Sequence, residues 1–444
     1  MKTIHQSKEL STADASASGR FRAFVLPSSR RHMEPLCLLA CLFLVAVTFS
    51  ALLFTAYVRA DTPGYDFRYY WLAGKIWASG VSPYGPGFYE AGQKLIAEGH
   101  VPTIWPYPPN MWLPSVWFAM FDLKTAWHIL LGLQLLAVPA ASWIVAYALP
   151  ADKLPGLGHG SVRLTRFGVF LLHMAFVAPL EATLMTVHPG QISMFVYLAV
   201  VLILCGLVRQ RQWLIVAGLV VVFLKPQIGA IMALAFMMSG RNGLRAVLSA
   251  ALISLMLVVP AMIVKPDVIF DWLHSVASYD GASQANLPIA MSGIRNLIWV
   301  FAEVDIGTFA AMGVTGAASI AVTVYLRRSA GFASQPEQAA LFDLVVAQSL
   351  VIMAFAPLHL YDFTLLGVAC LAAAGATGVR MITICIVTAM TMHPSVLYHI
   401  MGGEFFGIIF PGSTTATIGV IILLIVLLTR EPFGRHYPST RLVA

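Results

Sequence analysis

The chain has 444 residues, of which 59% are hydrophobic and only 11% charged, with a mean hydropathy of +0.81. A soluble domain is about 25% charged, so this composition cannot dress a water-facing globule and places the protein in a bilayer. The net charge of +7 needs no nucleic acid to explain it, because basic residues collect on the cytoplasmic side of membrane proteins. Cys37, Cys41, Cys205, Cys370 and Cys385 lie in long apolar runs without metal-ligand spacing.

Residues 1–33 are polar, Ser/Ala-rich and Arg-studded without apolar periodicity, and read as a disordered cytoplasmic tail. Leu36 to Val58 then runs about 23 residues without a charge, enough at about 1.5 Å per residue to cross a ~30 Å hydrocarbon core. It is too long for the apolar part of a cleaved signal peptide. Further apolar runs lie near 107–121, 126–149, 165–184, 190–208, 213–239, 244–264, 305–327, 338–357, 360–378, 380–399 and 412–429. One crossing for each predicts an all-α bundle of about twelve transmembrane helices with both termini cytoplasmic. Three units follow: a tail of 1–33, a transmembrane domain of 34–430 and a tail of 431–444. Arg241/Arg245, Arg327/Arg328, Arg380 and Arg430 then fall inside, whereas Arg209/Arg211 and the 150–166 loop come out on the far side. Lys225-Pro226 interrupts the 213–239 run, and a break there would reverse the local course.

Two long loops, 59–108 and 265–295, fall on the outer side. In the first, Phe67, Tyr70, Trp71, Gly74 and Trp77 recur at helical spacing with Arg68 and Lys75 opposite, which predicts an amphipathic interfacial helix. Phe88 to Glu98 pairs Glu90 with Lys94 at i,i+4 and predicts a second. Such helices either roof a cavity or simply anchor the chain at the interface. No broken helix repeats in matched halves, as it does in many secondary transporters.

Asp66 stands where the first of these helices starts, in Gly64-Tyr65-Asp66-Phe67-Arg68-Tyr69-Tyr70. It suits a helix N-cap or a carboxylate that takes a proton from a hydroxyl. Gly80-Val81-Ser82-Pro83-Tyr84 ends that helix, and Trp105-Pro106-Tyr107-Pro108-Pro109 leads into the next apolar run on an extended path fixed by its prolines.

The order Asp66-Phe67-x-x-Tyr70, Gly80-x-x-Pro83-Tyr84 and Tyr107-Pro108-Pro109 resembles glycosyltransferase family 87, formerly a domain of unknown function. Gly190-Gln191, Lys225-Pro226, Asn286, Ser292 and Pro357-x-His359-x-Tyr361 continue the resemblance, which runs from about Leu36 to Leu428. It implies a GT-C fold, an active site at the outer face, and a polyprenyl-phosphate-mannose-dependent mannosyltransferase-like activity with Asp66 as the catalytic carboxylate. On that implication Asp66 and His359 are the catalytic candidates. Lys225, Arg295, Tyr84, Tyr107, Gln191, Asn286 and Asp362 are candidates for holding the donor and its phosphate.

Three of these side chains supply candidate cations for the phosphate, Lys225, His359 and Arg295, although Lys225 can also snorkel, His359 cap the preceding span and Arg295 anchor at the interface. Asp362 can orient His359 or meet sugar hydroxyls. No Gly-rich phosphate loop, His/Cys cluster or soluble nucleotide-binding region occurs, so neither a nucleotide-sugar donor nor a metal or cofactor is expected. The leading expectation is an inverting transferase in the inner (plasma) membrane. It moves a mannose-like hexose or a pentose from a polyprenyl-phosphate sugar to a lipid or polysaccharide acceptor. A flippase of lipid-linked sugars is the alternative, and a non-catalytic assembly factor a third class.

Overall fold

The computed structural model describes residues 30–96, 99, 101–148, 166–279, 286–329, 337–368, 387–388, 391–394, 404–405, 408–409 and 412–429. Most of both tails and of the runs expected at 360–378 and 380–399 lies outside the described residues, as do the 150–165 loop, Arg380 and Arg430. Apart from one antiparallel pairing of Glu404–Phe405 with Ile408–Ile409, the described chain is helical.

The helices are α1 (Arg30–Arg59), α2 (Tyr65–Ala78), α3 (Gly87–Leu95), α4 (Trp112–Ala119), α5 (Leu123–Trp143), α6 (Arg166–Val177), α7 (Glu181–Val187) and α8 (Ser193–Arg209). There follow α9 (Gln212–Val222), α10 (Pro226–Met237), α11 (Arg241–Val264), α12 (Val268–Tyr279), α13 (Ile294–Ala302), α14 (Gly307–Arg328), α15 (Glu337–Phe355) and α16 (Gly412–Leu428). Among the described residues, four helices are long and apolar enough to cross a membrane: α1, α5 with its π-turn to Ala148, α11 and α14. The pair α6 and α7, bent by 74°, is either a broken fifth span or a re-entrant loop. The protein is thus a multi-pass membrane protein, and the described residues do not confirm the expected count of about twelve crossings.

Two runs account for part of the difference. The 107–121 run does not cross: its start is extended through Pro108, Pro109 opens a 3₁₀ turn to Met111, and what remains is the eight-residue α4, packed along α2. Gly74 permits that packing, since a Cβ there would lie 1.9 Å from the Ser115 carbonyl oxygen. The 213–239 run folds as two half-helices. Lys225 is extended, as a residue before proline should be, and Pro226 opens α10 at N1, where its missing N–H is no loss. With 11 and 12 residues, α9 and α10 each span only about 16–18 Å. Gln212 at the start of α9 donates to Asn242 O, and α10 runs directly into α11, so the pair leaves and returns to one end with Lys225 at its apex.

These corrections sort the charges. One end of the bundle joins Arg209 to the carbonyls of Tyr147 and Ala148, Asn242 to Glu337, Arg327 to the Met238 carbonyl and Tyr325 to the Leu428 carbonyl. Arg209, Arg211, Arg241, Arg245, Arg327 and Arg328 therefore share that end, and the misplacement of Arg209/Arg211 disappears. At the opposite end Lys124 meets Asp61 at 2.6 Å, and Trp127 Nε1 donates to Arg59 O at 2.7 Å.

The expectation for α2 also changes. Its buried residues include Phe67 through Gly74, Ile76 and Trp77, so the helix is wrapped by protein and does not float at the interface. Phe67 packs edge-on against Phe118 and tilted against Trp127. In lipid, helix association relies on close packing and on interhelical hydrogen bonds averaging about 0.6 kcal/mol. Gln348 of α15 makes two, to Ser319 O at 3.2 Å and Thr323 Oγ1 at 3.1 Å on α14.

Candidate active site

The α7–α8 turn docks on the first turn of α2 and builds one side of the site. The backbone N–H groups of Asp66 and Phe67 both donate to Pro189 O at 3.0 Å. The N-cap is Gly64, without a side-chain cap bond, so Asp66 is not the cap that its position suggests. Close approach requires glycine twice: a Cβ on Gly64 would lie 2.3 Å from Pro189 O, and Gly190 has φ +81°, a conformation that costs a Cβ-bearing residue roughly 1–2 kcal/mol.

Relieved of capping, the Asp66 carboxylate accepts a hydrogen bond from Gln191 Nε2 at 2.6 Å. The same amide lies 3.2 Å from the Tyr107 hydroxyl, and its oxygen accepts from the Tyr70 hydroxyl at 3.1 Å. Gln134 on α5 pins the turn from below by donating to Gln191 O at 2.7 Å. Burial pushes the Asp66 carboxyl up to about 7, against the downward pull of the Gln191 hydrogen bond and the Lys225 charge. A carboxylate poised near neutrality is suited to take and hold a proton.

A cavity of about 400 Å³ opens beside this cluster. Tyr107, Gln191, Lys225, Asn286 and His359, five of the candidates from sequence, lie on its wall, although they span more than 250 positions of the chain. Lys225, 3% exposed, donates to Ser193 Oγ at 2.7 Å and to the Asp362 carboxylate, and its ammonium lies 4.7 Å from the Tyr361 ring centroid. Asn286 Nδ2 donates to Tyr279 O at 2.8 Å.

Four expectations need correction. His359 makes no side-chain cap bond to the 3₁₀ turn it precedes, and burial holds its imidazole down at about 4, so at neutral pH it is an uncharged hydrogen-bonding group leaning on Tyr361 and not a cation. Arg295 is clamped by Asp305 through two bonds of 2.7 Å, with Thr308 Oγ1 accepting a further hydrogen bond, and it does not line the cavity. Asp362 pairs with Lys225 and does not orient His359. Tyr84 lies behind the wall, donating to Tyr107 O at 2.6 Å, so it shapes the site without facing it.

Sequence reasoning missed Gln227, Trp272 and Tyr279, which also line the cavity, and Gln134 and Ser193 behind it. Gln227 was signalled by its place directly after Lys225-Pro226. Trp272 and Tyr279 carry no signal, because only α12 packing back on Trp105 and Pro106 brings them near. The side of the cavity between α10, α12 and α14 is apolar and open: Ala230, Leu273 and Phe309 line it, and Leu273 and Phe309 are 49% and 68% exposed.

A chain of membrane helices that brings a half-buried carboxylate, Asp66, beside a half-open cavity has the form of a membrane enzyme. Residues 105–357, more than half of the chain, match the profile of glycosyltransferase family 87, which makes the protein a membrane glycosyltransferase. It belongs to that family. Asp66, Tyr84, His359 and Asp362 fall outside the matched stretch. No curated protein and no solved structure matches the chain.

Proposed function

We propose that the protein transfers a mannose-like hexose or a pentose from a polyprenyl-phosphate sugar to a lipid or polysaccharide hydroxyl at the outer face of the inner membrane. The observation that carries this reading is a carboxylate, Asp66, hydrogen-bonded to the cavity-lining Gln191, beside a cavity that is polar within and apolar at its side opening. A donor with a charged head and a hydrocarbon tail needs both. The acceptor hydroxyl gives its proton to Asp66 as its oxygen bonds to the sugar C1. The C1–O bond to phosphate breaks, its electron pair stays on the phosphate oxygen, and attack from the opposite face inverts C1.

Lys225 is the group placed to meet the developing phosphate charge, while Gln227, Asn286 and neutral His359 offer hydrogen bonds to phosphate or sugar. The six arginines gathered at the far end of the bundle support a cytoplasmic location for that end and for both termini, with the cavity outside. The test is transfer by the purified enzyme in proteoliposomes. Product formed from a polyprenyl-phosphate sugar, with none from a sugar nucleotide, is expected. Translocation of the lipid-linked sugar without transfer would replace this reading with the flippase.

A further inference from the structure

We propose that Asp362 makes the cavity discriminate between the sugar-loaded lipid phosphodiester and the discharged lipid phosphomonoester, by cancelling the charge of Lys225. The inference rests on the reading that Lys225 faces the donor phosphate. Among the described residues that line the cavity, Lys225 is the one Lys or Arg. Its ammonium is tied to Asp362 and Ser193, and Ser193 Oγ also donates to Asp362 Oδ1 at 2.8 Å. Asp362 is 1% exposed, and its Oδ2 is buried without a hydrogen-bond partner among the described residues. The carboxylate is therefore poorly solvated and directs its charge at Lys225. Arg295, the other cationic candidate nearby, is already matched by Asp305.

The consequence concerns charge balance during turnover. The donor is a monoanionic phosphodiester. When the C1–O bond breaks, the phosphate keeps the electron pair and leaves as a monoester with one more negative charge, while Asp66 takes the acceptor's proton. A site with an unopposed lysine would hold this product more tightly than the substrate, and turnover would stall on the discharged carrier. A neutral Lys225–Asp362 pair still offers an N–H donor to either phosphate but gives the extra charge no net attraction, so the carrier leaves.

The experiment compares the binding of two probes, farnesyl phosphate and farnesyl methyl phosphate, to the full-length protein in nanodiscs at pH 8. At that pH the monoester is a dianion, its second pKa being about 6, whereas the methyl ester keeps a single charge. The wild type should bind the two within about threefold, and Asp362→Asn should shift the ratio about tenfold or more toward the monoester. Asp362→Glu, which keeps the charge, should keep the wild-type ratio. A purely structural aspartate would weaken both probes together in Asp362→Asn and leave their ratio unchanged, which overturns the proposal. If that variant fails to fold, the wild type decides, because a preference of about tenfold for the monoester would equally overturn it. Unchanged binding of both probes by Lys225→Met would instead remove the underlying assignment of Lys225 to the phosphate.

Discussion

Replacing Asp66 by Asn separates chemistry from stability in an unusual direction. The Asn amide oxygen can still accept the Gln191 hydrogen bond, and no cap is lost, because Gly64 and Pro189 O serve the helix start. The proton acceptor is gone, and general-base catalysis is worth roughly 10²- to 10⁴-fold in rate, so transfer should fall by that factor. Stability should move the other way. The folded-state carboxyl sits at about 7 against an ordinary 3.8, so between these values the folded protein binds more protons than the unfolded chain, and wild-type stability declines as pH rises through that window. At about 1.36 kcal/mol per pKa unit, the ceiling on that loss above pH 7 is about 4 kcal/mol. The Asn variant carries no such penalty. Its thermal midpoint should match the wild type near pH 4 and exceed it at pH 8, measured in the same detergent. Near-normal transfer by the variant would refute the base assignment, and a lower midpoint at pH 8 would refute the burial argument.

The acid limb of kcat/KM should fall near pH 7 as Asp66 takes up its proton. Gln191→Leu, which removes the hydrogen bond that lowers the Asp66 value, should move that limb to higher pH, and an unmoved limb would show that Gln191 does not act through Asp66. Arg295→Ala should lower thermal stability by about 1–3 kcal/mol, as loss of a charged hydrogen-bonded partner does, while donor KM stays the same; a KM defect in a stably folded variant would return Arg295 to the substrate site. Cysteine at Ser82 should react with an impermeant thiol reagent added outside intact cells, whereas cysteine at Arg211 or Asn242 should react only after lysis. The reverse pattern would invert the bundle.

Much of the site was legible because polar residues stand out in a chain this apolar. Lys225-Pro226 interrupts a run that would otherwise be a plain span, Gly190-Gln191 opens another, and Lys225, Pro226 and Gln191 lie on the cavity. Partners were not legible. Nothing near Asp66 in sequence announces that Pro189 will satisfy its helix start, which is why capping looked like a natural role for its side chain. Arg295 looked available because Asp305 lies beyond the end of α13, and only the reversal of the chain there closes the clamp. The count of crossings was less legible for a local reason. Hydropathy registers 107–121 as a span, yet three prolines in its approach and first part leave too few residues for a crossing helix, and α4 finds its apolar surroundings in α2.

The separation of partners along the chain also sets an order of events during synthesis. Asp66 acquires Gln191 only after a further 125 residues have been made, and Lys225 must wait 137 residues for Asp362. Until Asp362 is made, the growing polypeptide holds a lysine at the apex of two half-helices without its ion-pair partner. That intermediate is free to draw the ammonium toward lipid headgroups and water. Arrival of Asp362 is then a late latch on the apex of α9 and α10, and a chain stopped short of it has the two half-helices but not the pair that ties Lys225.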